Sequence, residues 1–352
     1  MIKFKKLNKF TYIILISTFV LLLGITVAVS YFAANNKSFT KEQKDMIDID
    51  KYVTGCAKND KFNGSILVAQ NGEILLYKAF GLADKANEVK ITTETKFLIG
   101  SVTKQFTAVA IMQLQEKGLL NVDDTINKYI PDISHGDNIT IHELLTHTSG
   151  LPADFVDIGK FNSLPLTLDD AIHKIKGMNI QLLSNPGVSF NYSSFGYMLL
   201  SYIIEITSRK SYEDYINKNI FIPLEMNSSG FGYNRNVNSD LAFGYDASGK
   251  LVPSELNENE AKLLSGAGEI YSTVEDLYKW DRALYTQKLL SKKSIEQIYT
   301  PYSDNYGYGS HIVSTSPKEI YDHSGSMTGF SSCITRLVGF NSFIIVLSNN
   351  PN

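Results

Sequence analysis

From Phe106 to Met112 the chain reads Phe-Thr-Ala-Val-Ala-Ile-Met, apolar nearly all the way round a helix. A helix without a polar face cannot lie on a surface, so this run needs a protein large enough to wrap it on every side. The 352 residues, 43% of them hydrophobic, can supply such a core. Directly before the run stands Ser101-Val102-Thr103-Lys104. Residues three apart on a helix share a face, which sets the lysine nitrogen beside the serine hydroxyl. A serine hydroxyl is a weak nucleophile until a neighbouring base takes its proton, and burial disfavours the charged form of a lysine, which suits it to that task. Gly100 permits a tight entry from the strand-like residues 96–99, and a helix starting near Ser101 would aim its backbone N–H at an incoming oxyanion. The four-residue pattern also arises by chance on surfaces, so other segments must decide.

Four do. Tyr192-Ser193-Ser194 lies in a Tyr/Ser/Phe-rich loop before another apolar helical pattern; taken alone it reads as a helix cap. Asp322-His323-Ser324-Gly325-Ser326 precedes alternating strand residues; taken alone, His323 reads as a loop histidine. Residues 140–152 read as a capping box from Thr140 to Glu143, a short helix, and a Gly-Leu-Pro stop. Residues 266–277 read as a glycine-rich turn feeding a helix capped by Ser272 and Glu275, with Glu269 in the turn.

In this order and spacing the five elements resemble the penicillin-recognising serine hydrolases: class C β-lactamases, low-molecular-weight DD-peptidases and related esterases. The resemblance covers residues 62–350. It implies Ser101 as nucleophile, with Lys104 and Tyr192 accepting and returning its proton. Ser194 stands where the family has asparagine; a hydroxyl there can still bond Lys104 or a substrate amide. His323 stands where class C β-lactamases usually have lysine, which resembles DD-peptidases and other relatives instead. With Ser324 it is expected to orient a substrate carboxylate or carbonyl. The resemblance further implies that a side chain at Gly325 would block a substrate pairing edge-on with the strand, and that the Ser326 N–H completes the oxyanion hole. His147, within the 140–152 signature, is implied to be structural. Relatives often carry a glycine or a small residue at the position of Glu269, and the sequence does not say where this carboxylate faces.

The ends place the protein. Lys3, Lys5, Lys6 and Lys9 precede an apolar stretch over residues 10–34, long enough to span a bilayer and oriented to send the remainder outside. An uncleaved anchor is the favoured reading of residues 1–34, which gives a single-pass cell-membrane protein with an extracytoplasmic domain. Cleavage of a signal peptide near Ala33-Ala34 would instead release it. Residues 35–47 are polar and expected to form a tether. Export permits a disulfide between the two cysteines, Cys56 and Cys333, which the family fold brings toward one sheet. Six scattered histidines without ligand spacing give no metal site, no cofactor is implied, and a net charge of −3 without basic clusters beyond the anchor gives no nucleic-acid footprint.

Ser65–Ala69, Asn71-Gly72 and Ile74–Tyr77 read as a β-hairpin, with further strands over residues 306–313, 330–337 and 342–348. Helical patterns cover residues 48–57, begin at Thr167, run over 195–207, and start again at Ser211 with Asp214. Strands, then helices, then strands indicate an α+β fold. The resemblance adds that both chain ends (about 48–95 and 265–352) form one antiparallel sheet flanked by helices, around a mostly helical insertion (about 105–264), with the active site in the cleft between them. Relatives normally add a helix after the last strand. This sequence ends at Asn352, so an uncovered sheet face is expected to cost burial. The expected function is a DD-peptidase-like hydrolase acting on cell-wall peptide or ester groups and open to β-lactams. The alternatives are a β-lactamase, a wall-polymer or small-molecule esterase, or an inactive penicillin-binding or scaffold protein.

Overall fold

The structure, a computed structural model, describes residues 39–59, 61–154, 167–232, 240–252, 263–315 and 318–350. The apolar segment 10–34 lies outside them, and among the described residues no helix is long and apolar enough to cross a membrane. In chain order the strands are β1 (Gly64–Gln70), β2 (Glu73–Phe80), β3 (Leu82–Asp84), β4 (Val89–Lys90), β5 (Phe97–Leu98), β6 (Gly230–Phe231), β7 (Ile270–Ser272), β8 (His311–Thr315), β9 (Lys318–Met327), β10 (Phe330–Leu337) and β11 (Ser342–Ser348). The principal helices are α1 (Phe39–Lys58), α2 (Thr103–Glu116), α3 (Ile141–Leu145), α4 (Leu168–Ile175), α5 (Ser194–Ser208), α6 (Tyr212–Ile216), α7 (Val274–Leu284) and α8 (Lys292–Ile298).

Asn71 and Gly72 both take positive φ, 52° and 87°, the geometry that lets a two-residue turn fold β2 back on β1. The two chain ends then meet in one six-stranded sheet of order β2-β1-β11-β10-β9-β8, antiparallel at each pairing, with Ile66 opposite Val346 and Ile345 opposite Ile334. Side chains alternate between its faces. Leu67, Ala69, Ile334, Phe343, Ile345 and Leu347 enter the main core with the helices. Ile66, Val68, Leu76, Leu337, Ile344 and Val346 form a second core against Ile49 and Val53 of α1. Both faces are therefore buried, which is why β11 is apolar without a break from Phe343 to Leu347. Each buried Leu, Ile or Val contributes roughly 1.5–3 kcal/mol.

The expected uncovered face is thus covered by α1, and this corrects two readings. From Phe39 onward the polar stretch read as a tether is helical, because its helix continues into the Ile49 and Val53 contacts that dock it. The outer sheet face finds its partner at the start of the domain. Other corrections are local. Residues 306–310 precede β8 instead of belonging to it, and the cap of α7 is Thr273, one residue after Ser272, because Ser272 is still paired in β7 opposite Phe97. Cys56 and Cys333 are free thiols; Cys333 sits buried on β10 with its Sγ 3.6 Å from Thr335 Oγ1.

α2 is buried at every residue from Thr103 to Leu114, as its apolar circumference requires. Phe106 stacks on Trp280 of α7 at 4.0 Å, and the Trp280 indole N–H donates to Gln105 Oε1 at 3.2 Å. Nearby, Arg336 Nε donates to Asp281 Oδ1 at 2.6 Å, an ion pair with both side chains buried, fastening α7 to β10. A small sheet of order β5-β7-β6 joins the residues before Ser101 to those after Glu269.

Candidate active site

Three segments converge on Lys104. The first is its own helix start. β5 leads through Ile99 into a 3₁₀ turn, Gly100–Val102, that runs directly into α2, so Ser101 and Lys104 fall on one face. Gly100 takes φ 51°, and a Cβ there would stand 2.9 Å from Ser326 N; the entry to the nucleophile is tight because it lies against β9. Lys104 Nζ donates to Ser101 Oγ at 3.2 Å, and its side chain is fully buried while Ser101 is half-buried.

The second segment is the 190s loop. Ser193 caps α5 by accepting from the Gly196 N–H at 3.0 Å and donates to the Pro152 carbonyl at 2.6 Å. This sets Ser194 in the first turn of α5, where its Oγ receives Lys104 Nζ at 3.5 Å. Tyr192 presents its ring to Lys104, with Nζ 4.9 Å from the centroid, a cation–π distance. His147 holds this loop from both sides of Tyr192: its carbonyl accepts from the Asn191 N–H at 2.7 Å, and its ring Nδ1 accepts from the Ser193 N–H at 3.1 Å. An accepting Nδ1 puts the ring proton on Nε2, which is buried without a hydrogen-bond partner. Burial, aided by the Lys104 charge, holds this imidazole well below its ordinary pKa, so it is neutral and serves as a brace.

The third segment is the glycine-rich turn. The carbonyl of Ala267 accepts from Lys104 Nζ at 2.9 Å, the shortest of the three bonds to that nitrogen. Thr107, one turn further along α2, donates to the Gly266 carbonyl at 2.7 Å, and Thr103 Oγ1 accepts from the Ile270 N–H at 3.3 Å. Sequence reasoning missed Ala267 because its contribution is a backbone oxygen, which no side-chain pattern reveals.

Strand β9 packs against the turn that carries Ser101. β8 pairs with it only from Lys318 to Asp322, so Ser324, Gly325 and Ser326 lie beyond the end of their neighbour on that side. Ser324 and Ser326 are exposed, while His323 and Gly325 point inward. The structure places His323 differently from expectation. Its Nδ1 donates to the Ser324 carbonyl at 2.7 Å, which leaves Nε2 to accept from the Tyr306 hydroxyl at 2.9 Å. Burial first, then the Lys104 and His311 charges, push it down to about 3, so this ring is neutral with both nitrogens engaged and offers no cation to a carboxylate. Gly325 also has a different reason to be glycine: a Cβ would lie 1.9 Å from the Ile99 carbonyl oxygen and 2.4 Å from Ser332 Oγ, so it is needed for packing against the nucleophile's own segment.

The arrangement therefore brings Ser101, Lys104, Tyr192 and Ser194 together, and leaves Ser324 and Ser326 exposed on the strand beside the Ser101 turn. A buried amine within reach of a half-exposed hydroxyl, beside strand amides, fits attack on an acyl carbon. Among the described residues no group of three or more His, Cys, Asp or Glu side chains is placed to hold a metal ion.

A family model described as Beta-lactamase matches residues 49–352. The putative penicillin-binding protein PbpX of Bacillus subtilis (strain 168) is 34% identical over 314 residues, which cover 89% of this chain and 77% of that protein. Penicillin-binding protein 4* of the same strain is 32% identical over 312 residues, covering 82% and 68%. Among solved structures, the octameric penicillin-binding protein homologue from Pyrococcus abyssi superposes with a TM-score of 0.74 at 33% identity, covering 85% of this chain and 72% of that one. A D-amino acid amidase from Ochrobactrum anthropi SV3 gives 0.72 at 23% identity, covering 86% and 91%, a likeness of fold.

Proposed function

Because this chain belongs to the Beta-lactamase family of serine hydrolases, we propose that it is an exported, membrane-tethered enzyme that forms an acyl-enzyme at Ser101 and acts on D-alanyl groups of the cell wall, as a DD-peptidase does. The observation that carries the reading is the buried Lys104 nitrogen within hydrogen-bond distance of Ser101 Oγ. In the reaction, which requires Lys104 as the free amine, Ser101 Oγ attacks the acyl carbon and its proton passes to the Lys104 lone pair. Tyr192 relays it to the leaving group, while Ser194 and Ala267 hold the amine in place. The backbone N–H groups of Ser101 and Ser326 stabilise the oxyanion, and Ser324 bonds the substrate where it lies along β9. Water or another acceptor then releases the acyl group. The lysines ahead of residues 10–34 support the tether, and the names of the two Bacillus relatives support the substrate class.

One observation favours a second reading, an esterase acting on wall polymers or small molecules. With His323 neutral and saturated, β9 offers a substrate hydroxyls and amides without a charge for a terminal carboxylate. A time course of fluorescent penicillin with the full chain in detergent, beside Ser101→Ala, separates these. A stable adduct lost in the variant supports the peptidase, and a transient adduct with turnover indicates a β-lactamase. If no adduct forms, hydrolysis of an alanyl ester distinguishes the esterase from an inactive relative.

A further inference from the structure

We propose that Glu269 is a positioning residue for Lys104: its carboxylate folds back over its own turn and fixes the Ala267 carbonyl against the lysine nitrogen. The inference rests on the reading of Ser101 and Lys104 as nucleophile and base. Glu269 is buried, and the reaction as described does not use it. Its Oε1 accepts from the Gly266 N–H at 2.8 Å and its Oε2 from the Gly268 N–H at 3.3 Å. Those two amides flank Ala267, whose carbonyl takes Lys104 Nζ at 2.9 Å. The carboxylate thus clamps both neighbours of the one backbone oxygen that anchors the amine. The rest of the turn is equally fixed: the Ala267 and Gly268 N–H groups both bond the Leu264 carbonyl, and Gly266, at φ 74°, is wedged against α5, where a Cβ would stand 2.7 Å from the Tyr197 carbonyl. A smaller side chain at this position would leave the inward-facing Gly266 N–H without its acceptor and the Gly268 N–H with the Leu264 carbonyl alone. The charged and titratable groups around the carboxylate are Lys104 through Ala267, and Tyr212 and Glu213 from α6. Burial raises Glu269 to about 7, so its ionisation falls within a range where activity can be measured.

The test uses the full chain and a fluorophosphonate, which needs no knowledge of the acyl substrate. Ser101 Oγ attacks phosphorus, its proton passes to Lys104, the P–F bond breaks and fluoride leaves. Inactivation is followed for wild type, Glu269→Ala and Glu269→Gln, with maximal rate and half-saturating concentration resolved. Glu269→Ala should lose about tenfold in the maximal rate with little change in half-saturation. Glu269→Gln keeps an acceptor for the Gly266 N–H and should stay within about threefold of wild type. The wild-type rate should step down by a similar factor between about pH 8 and pH 6 as the carboxylate is protonated, and Glu269→Gln should lack that step. If Glu269→Ala fails to fold, the presence or absence of the step in Glu269→Gln decides. An Ala variant at wild-type rate, a loss confined to half-saturation, equal losses in Ala and Gln, or a step that persists in Gln overturns the inference alone. A wild type that takes no label overturns both the inference and the reading beneath it.

Discussion

Replacing Gly325 by alanine separates two explanations of the same glycine. If glycine were needed only to clear the substrate, the variant would fold normally and react slowly. The structure gives a different account: the new methyl would stand 1.9 Å from the Ile99 carbonyl oxygen and 2.4 Å from Ser332 Oγ. Carbon and oxygen cannot approach much below about 3 Å, so β9 and the Ile99 segment must part by about 1 Å. Overpacking of this kind costs about 1–3 kcal/mol. Separation also threatens the buried hydrogen bond from Ser332 Oγ to the Ile99 carbonyl, 2.7 Å long, worth about 1 kcal/mol more. Ile99 is two residues before Ser101, so the nucleophile moves with it, and a displacement of about 1 Å costs on the order of 100-fold in rate. Gly325→Ala should therefore be less stable by about 2–4 kcal/mol in denaturant unfolding and about 100-fold slower in acylation. Wild-type stability with slow acylation would refute the packing argument and restore the substrate-clearance one.

Ser194→Ala removes one of three acceptors on Lys104 and should slow acylation about fivefold, as loss of about 1 kcal/mol implies, with stability nearly unchanged; an unaltered rate would show that this bond is idle. Asp281→Ala leaves Arg336 buried without its carboxylate and should cost about 3–5 kcal/mol in unfolding free energy, read from denaturant melts. The pH dependence follows from His323, whose folded pKa is about 3 against 6.5 for the free side chain. Between those values the unfolded chain binds a proton that the folded one refuses, so its contribution to stability is complete above pH 6.5 and is lost as pH falls toward 3. The slope approaches about 1.4 kcal/mol per pH unit, and urea melts of His323→Gln should show it flattened. His147, also held low by burial, adds a slope of the same sign.

The parts of this site legible in the sequence are those that local periodicity controls. Ser101 and Lys104 share a face because they are three apart, and the Thr140/Glu143 box and the Asn71-Gly72 turn form as their chemistry dictates. The fold class followed from the order of strand and helix patterns, and the pairing of β1 with β11 from the resemblance. What was not legible depends on distant partners. His323 was expected to orient a substrate carboxylate or carbonyl, but its ring is occupied by the Ser324 carbonyl and by the hydroxyl of Tyr306, which local pattern placed in a strand. Ala267 acts through its backbone, Gly325 owes its identity to Ile99 more than two hundred residues away, and α1 covers a sheet face that was expected to lie bare.

The account stands on Ser101 as a nucleophile that Lys104 activates, and peptide mapping by mass spectrometry after labelling tests this most directly. Wild type and Lys104→Ala would be treated with an acylating or phosphonylating probe, digested, and the modified residue identified. The account predicts the added mass on Ser101 in wild type, with labelling slowed by at least about 100-fold in Lys104→Ala. Label on Tyr192, Ser194 or Ser324 instead, or equal labelling of Ser101 without the lysine, would contradict it.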